Sequence, residues 1–219
     1  MTWDGEAATW WAAEVETDPA YARDVDPLLR ELMPVPAGTL LDLGCGTGRL
    51  LTAGAVGVDT SVDLLQLATG NVVAADIRSL PFDTASFDTA YAVLVLEHLE
   101  DPAAVFGEVG RVVKPGGRFV MVLNHPIFTA PGSGPLLDTD GEVLWRFGAY
   151  LRQGHSDEPA GPSSIRFHHR PLGSLMTVAA EAGWLLERLE ERPAGDAADP
   201  LLAAQGNVPR LLGVRWRRL

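Results

Sequence analysis

Apolar residues recur at helical spacing from Ala12 to Met33 and stop at Pro34 and Pro36, so the chain is expected to open with one or two helices that cap the domain. From Gly38 the texture changes. Thr39-Leu40-Leu41-Asp42-Leu43 reads as a short apolar strand running straight into Gly44-Cys45-Gly46-Thr47-Gly48. A short helical stretch around Arg49 to Leu51, a strand ending at Val58-Asp59, a helix over Val62 to Ala68 and a third strand, Val72 to Asp76, follow in turn. Phe87 to Val93 reads as strand four, Pro102 to Val113 as an amphipathic helix closed by Lys114-Pro115-Gly116-Gly117, and Arg118 to Leu123 as strand five.

Short apolar strands alternating with helices imply right-handed βαβ units and a sheet covered on both faces. The stretch from Asn124 to Pro171 is rich in Pro, Gly, Ser and Asp and is too long for a plain connection, which marks it as a lid or insert. Within it, Val143 to Phe147 and Ser164 to His168 are expected to pair as a small antiparallel hairpin. Leu172 to Ala182 reads as a helix stopped by Gly183, Trp184 to Leu189 as strand six and Leu211 to Arg217 as strand seven; the acidic segment Gly195 to Pro200 reads as a solvated loop. The fold class is α/β: a doubly wound, mostly parallel seven-stranded sheet in a single domain. Its parts are a helical cap (1–37), a ligand-binding core (38–124), a lid (125–171) and the C-terminal part of the sheet (172–219).

Composition narrows the partners. With 219 residues, 47% hydrophobic and 21% charged, the chain is long enough for a sizeable core without staples. Seventeen Lys+Arg against twenty-nine Asp+Glu leave a net charge of −12, a field that repels polyanions and disfavours nucleic acid. The single cysteine, Cys45, forms no intramolecular disulfide, and no Cys/His spacing resembles a metal site. The N-terminus lacks the charge and apolar run of a signal peptide, and no apolar run reaches the ~18 residues of a membrane span. A cytoplasmic protein with no membrane partner is expected, as monomer or homodimer.

A glycine-rich turn after a first strand lets backbone approach a ligand closely. Dinucleotide folds place a third glycine where this chain has Arg49, and a bulky side chain there argues against a pyrophosphate cradle. Asp42 before the glycines and Asp59 closing strand two supply carboxylates for a ligand bearing both an ammonium and a ribose diol, as S-adenosylmethionine does. Gly44 and Asp59 are fifteen positions apart, against roughly twenty in the usual unit, so the first crossover helix is expected to span two turns at most.

With these segments the chain resembles the class I S-adenosylmethionine-dependent methyltransferases, in particular the group related to quinone-biosynthesis methyltransferases. The resemblance runs in order through Leu40 to Gly48, Gly57 to Ser61, Asp76-Ile77 with Leu80-Pro81-Phe82, Ser86-Phe87-Asp88, Leu96 to Pro102 and Val113 to Gly117. It implies a Rossmann-like methyltransferase fold with S-adenosylmethionine as cofactor and S-adenosylhomocysteine as product. It further implies that backbone at Gly44, Cys45 and Gly46 faces the methionine part of the cofactor, with Asp42 organising that loop or the ammonium. Asp59 would accept the ribose hydroxyls with Thr60 beside the adenosine. Asp76 would accept from the adenine amino group, Ile77 would pack on the ring, and Ala92-Val93 backbone would contact the methionine moiety.

Methyl transfer is an in-line displacement in which a base serves only a protonated nucleophile. His98 after strand four and His125 after strand five are candidates for that base, although the stretch holding His98 also suits a helix cap. His168-His169-Arg170 reads mainly as an anchor for the lid. Trp10, Trp11 and Trp145 are candidates to touch an apolar acceptor, against the plainer reading that they pack cores. Cys45 reads as a packed thiol and not a nucleophile, and the acids Glu97, Glu100 and Asp101 as a helix start, leaving no metal site. The expected activity is methyl transfer to an O or N atom of a small-molecule metabolite. A non-catalytic S-adenosylmethionine-binding regulator would carry the same pocket.

Overall fold

The computed structural model describes residues 3–161, 163–193 and 206–219; the expected acidic loop at 195–200 lies outside them. Helix α1 (Glu6–Thr17), a π-helical turn (Tyr21–Val25) and α2 (Asp26–Leu32) precede strand β1 (Leu40–Leu43). Then come β2 (Val56–Asp59), α3 (Val62–Leu67), β3 (Asn71–Ala74), β4 (Phe87–Val93), α4 (Pro102–Val112) and β5 (Val113–Asn124). A short α5 (Pro126–Thr129) leads into β6 (Gly134–Leu137), β7 (Val143–Arg146), β8 (Gly154–Ala160) and β9 (Ser163–His169). Helix α6 (Leu172–Glu181), β10 (Trp184–Pro193) and β11 (Pro209–Arg218) complete the chain.

Seven strands form one sheet in the order β10-β11-β5-β4-β1-β2-β3, parallel except where β11 runs against both β5 and β10. The alternation along β5 divides the core. Phe119, Met121 and Leu123 face a cluster built with α4 and α6, while Val120 and Val122 face Leu28, Leu29 and Leu32 of α2. The second half of the expected cap is therefore a core layer; at Gly213 of β11 a Cβ would stand 2.5 Å from Leu32, so α2 lies directly on the strand. Asp101 caps α4 by accepting from Ala103 and Ala104 amides at 2.9 and 3.2 Å, with Pro102 in the first turn. Among the described residues no helix is long and apolar enough to cross a membrane.

Three expectations are corrected. No helix joins β1 to β2: the twelve residues between them form successive turns, because Gly44, Gly46, Gly48 and Gly54 all take positive φ. Lys114 to Gly117 does not close α4 but lies inside β5 as a bulge. There the chain passes so near β4 that a Cβ on Gly117 would stand 2.6 Å from the Asp88 carbonyl. The insert forms two local hairpins, β6 with β7 and β8 with β9, in place of one pairing Val143–Phe147 with Ser164–His168. The turn at Asp138–Gly141, where the Gly141 amide donates to the Asp138 carbonyl at 3.0 Å, brings β6 and β7 together before any distant strand competes.

Candidate active site

The C-terminal ends of β1, β2 and β4 meet where the strand order reverses, and a cavity of about 520 Å³ opens there. Its floor is the turn after β1. Gly44 and Cys45 donate their amides to the Val58 carbonyl at 2.7 and 3.0 Å, tying the turn to β2. Gly44 has φ 73°, and a Cβ there would stand 2.5 Å from Val95, so the position excludes a side chain on both counts. Burial pushes the Cys45 thiol up to about 12, which leaves it protonated and packed.

Three of the carboxylates that line this cavity come from β1, the end of β2 and the turn after β3. Asp42 is 3% exposed and its Oδ2 has no hydrogen-bond partner among the described residues. Burial pushes its carboxyl up to about 7, against the Tyr91 hydroxyl beside it, and the Asp59 charge adds to the rise. Asp59 accepts from the Ser61 amide at Oδ1 and the Gly46 amide at Oδ2, both at 2.9 Å, and the Thr60 amide also bonds the carboxylate. Burial raises its pKa while those amides oppose the rise. Asp76 is gripped by Arg78, with Nε to Oδ1 at 2.9 Å and Nη2 to Oδ2 at 2.5 Å, which holds its carboxyl below the ordinary range.

Thr60, Ile77 and Val93 line the cavity, whereas Ala92 is buried behind it and Leu94 and Val95 continue the wall. Leu94 takes φ 54°, a left-handed conformation that costs a non-glycine residue about 1–2 kcal/mol, and the Val122 carbonyl holds it there by accepting its amide at 2.7 Å.

The facing wall comes from distant parts of the chain. A 3₁₀ turn, Leu96–His98, follows β4 and presents His98 between Trp3 and Phe167, with ring centroids 5.4 and 4.8 Å away. His98 Nδ1 lies 3.1 Å from the Arg166 carbonyl. A carbonyl only accepts, so Nδ1 carries a proton, and in the neutral ring Nε2 is the nitrogen with the lone pair. Trp3 itself is tethered: the Ser61 hydroxyl donates to its carbonyl, and the Gly5 amide donates to Asp63 at 2.6 Å. Trp11 packs on Trp3 and also lines the cavity. Past His98 lies a second cavity of about 550 Å³, which shares Trp3, His98, Glu100 and His168 with the first.

Other singled-out residues lie elsewhere. His125 does not line the cleft: it is 3% exposed and caps α5, its Nδ1 accepting from the Ile127 amide at 3.1 Å and its Nε2 donating to Glu191 at 2.8 Å. Burial lowers its pKa, and both ring nitrogens are engaged. Trp145 stacks on Phe128 at 5.2 Å, away from the cleft, and Trp10 lies against Gly161 along an outer groove with Asp63 and Leu67. His169 donates from Nε2 to the Tyr150 carbonyl at 2.7 Å, and Arg170 donates to the Leu96 and Leu99 carbonyls, so this run anchors the insert to the His98 turn. Glu97 stands in the 3₁₀ turn and not at the start of α4, which Asp101 caps; it is buried and accepts from the Asn124 amide and side chain at 3.2 and 3.0 Å. Trp3, Glu100, Arg166 and His168 are cavity residues that sequence reasoning left out of the site. Only their aromatic or titratable character signalled them. Arg49, read solely as an obstacle to pyrophosphate, lines the cleft with its guanidinium 4.7 Å above the Tyr21 ring.

A cleft with paired carboxylates at the ends of β1 and β2 and a glycine turn between them defines the nucleoside-binding class of doubly wound proteins, and comparison with known proteins makes this specific. Residues 41–121 match a family model described as a methyltransferase domain. A solved S-adenosylmethionine-dependent methyltransferase from Mesorhizobium loti is 32% identical and superposes with a TM-score of 0.79, covering 93% of this chain and 100% of that one. Among curated proteins, a ubiquinone biosynthesis O-methyltransferase of Paracidovorax citrulli is 32% identical over 132 residues, 51% of this chain and 55% of that protein. The 27-O-demethylrifamycin SV methyltransferase of Amycolatopsis mediterranei is 33% identical over 138 residues, 54% of this chain and 48% of that protein. The chain spans about half the length of these curated relatives. It belongs to the S-adenosylmethionine-dependent methyltransferases.

Proposed function

We propose that the protein transfers a methyl group from S-adenosylmethionine to an O or N atom of a small molecule, with residues 125–171 and the N-terminal segment enclosing the acceptor. The observation that carries this reading is a pair of adjoining cavities that share Trp3, His98, Glu100 and His168 as lining, the first of them also bordered by Asp42, Asp59 and Asp76. The residues present fit the cofactor. Asp42 has a buried oxygen lacking a donor, suited to an ammonium, and Gly46, where a Cβ would meet only Leu64 at 3.9 Å, leaves backbone open in the same cavity. Asp59, with three amides on its four acceptor positions, keeps room to accept from a ribose hydroxyl, while Asp76 and Ile77 suit an adenine edge and face.

When bound, S-adenosylmethionine supplies a sulfonium methyl whose carbon bonds to the acceptor heteroatom while the C–S electron pair stays on sulfur. His98 takes the acceptor's proton at Nε2, and the Arg166 carbonyl holds the ring in the tautomer that can do so. Trp3, Trp11 and Leu94 exclude water from the cleft. His125, remote and fully engaged, serves the fold. The net charge of −12 favours a small acceptor over nucleic acid, in keeping with a cytoplasmic metabolic role.

Calorimetry with S-adenosylhomocysteine, followed by transfer of a labelled methyl group to a panel of phenols and amines, tests the proposal. Failure to bind S-adenosylhomocysteine would remove it.

A further inference from the structure

The second cavity has a chemistry of its own. Its lining brings together three rings, Trp3, His98 and His168, and buried Ile165. Such a lining suits a flat ring, which offers large contact area at low entropy cost. The charged groups around it are unequally matched. Arg166 is held by Asp157 through two bonds, Nε to Oδ1 at 2.8 Å and Nη2 to Oδ2 at 3.0 Å, so its charge is answered within the protein. Burial, and then the Arg170 charge, hold His168 below the ordinary imidazole value. Glu100, exposed and lining both cavities, makes no hydrogen bond or ion pair among the described residues.

We propose that this cavity is the acceptor subsite and that it takes a planar ring, neutral or cationic, while rejecting rings that carry a carboxylate or phosphate. An anionic group entering here meets the Glu100 carboxylate, and Arg166, the Lys or Arg side chain that lines the cavity, is already paired with Asp157, whereas an ammonium meets Glu100 and the Trp3 ring. The inference rests on the methyl-transfer reading and adds to it the class of acceptor. Glu100 acts as a specificity residue and not as part of the chemical step. The tether from Ser61 and Asp63 to residues 3–5 sets where the Trp3 ring stands.

Tyramine, p-cresol and 4-hydroxyphenylacetate share one phenol and differ in charge at neutral pH. Their binding to protein saturated with S-adenosylhomocysteine is measured by calorimetry for the native chain, Glu100→Gln and Trp3→Ala. 4-Hydroxyphenylacetate should bind about tenfold or more weakly than p-cresol, and tyramine at least as tightly as p-cresol. Glu100→Gln should narrow the ratio of tyramine to 4-hydroxyphenylacetate severalfold, and Trp3→Ala should weaken all three. A carboxylate probe binding as well as p-cresol, a ratio unchanged in Glu100→Gln, or no binding of any probe overturns the subsite. Failure of the native chain to bind S-adenosylhomocysteine is a separate result that removes the methyl-transfer reading and the subsite with it.

Discussion

Replacing Asp42 by Asn isolates the cost of holding a carboxyl under the glycine turn. Asparagine keeps the shape and a donor near Tyr91 but does not ionise. In the folded chain burial pushes the Asp42 carboxyl up to about 7, against an ordinary value near 4 in the unfolded chain. Between those two values folded Asp42 keeps a proton that the unfolded chain has released, so stability falls as pH rises. Below about 4 the two states hold the proton alike and nothing is lost; above about 7 both are ionised and the loss is complete and constant. At 1.36 kcal/mol per pH unit the total is about 4 kcal/mol.

Urea unfolding of both proteins at intervals from pH 4 to pH 8 reads this directly. The difference in unfolding free energy between Asp42→Asn and the native chain should grow by about 4 kcal/mol across that range, with most of the change below pH 7. Because every other titrating group is common to both proteins, the difference curve belongs to Asp42. Two parallel curves would mean that the carboxyl ionises in the fold as it does in water, and the reasoning from burial would be refuted. Saturating S-adenosylhomocysteine, whose ammonium answers the charge, should stabilise the native chain above pH 7 more than the variant.

Three further expectations concern other residues. His98→Gln should lower kcat by about 100-fold or more, the scale of general-base catalysis, with a much smaller change in S-adenosylhomocysteine affinity by calorimetry; equal losses in both would remove His98 as the base. Asp59→Asn should weaken S-adenosylhomocysteine by about tenfold or more, since the amide nitrogen accepts neither a ribose hydroxyl nor the backbone amides of Gly46 or Ser61; an unchanged dissociation constant in a folded variant would contradict the ribose role. His125→Ala should destabilise the fold by about 1–2 kcal/mol in urea through loss of the α5 cap and the Glu191 bond, while kcat holds; a collapsed kcat at unchanged stability would return His125 to the chemistry.

The parallel core was legible because its signals are local. Each strand is a short apolar run, and Asp59 and Asp76 stand where runs end. What escaped depends on partners far away in the chain. His125 does lie just beyond β5, as read, but only the assembled sheet shows β10 bringing Glu191 to its Nε2 and leaving the ring nothing to do in the cleft. Trp3 gains its place from Ser61 and Asp63, a tether across some sixty residues that no spacing announces. The insert was recognised as an insert, yet its pairing was misjudged, because a tight turn near Gly141 makes the local partner cheaper to reach than the distant one. The crossover from β1 to β2 was expected to be short. It proved too short and too glycine-rich for any helix.

That missing helix sets how the region tolerates genetic change. A helix absorbs many substitutions because its shape is held by repeated backbone bonds that most side chains permit; a run of turns offers no such redundancy. In a saturation mutagenesis experiment the segment between Leu43 and Val56 should therefore stand out as depleted, and unevenly so. At Gly44 any side chain meets both a forbidden backbone conformation and Val95, so every substitution is expected to be lost. At Gly54, with φ 85° but open space around it, only the conformational cost applies, and asparagine or aspartate, which enter that region most readily, are the replacements expected to survive.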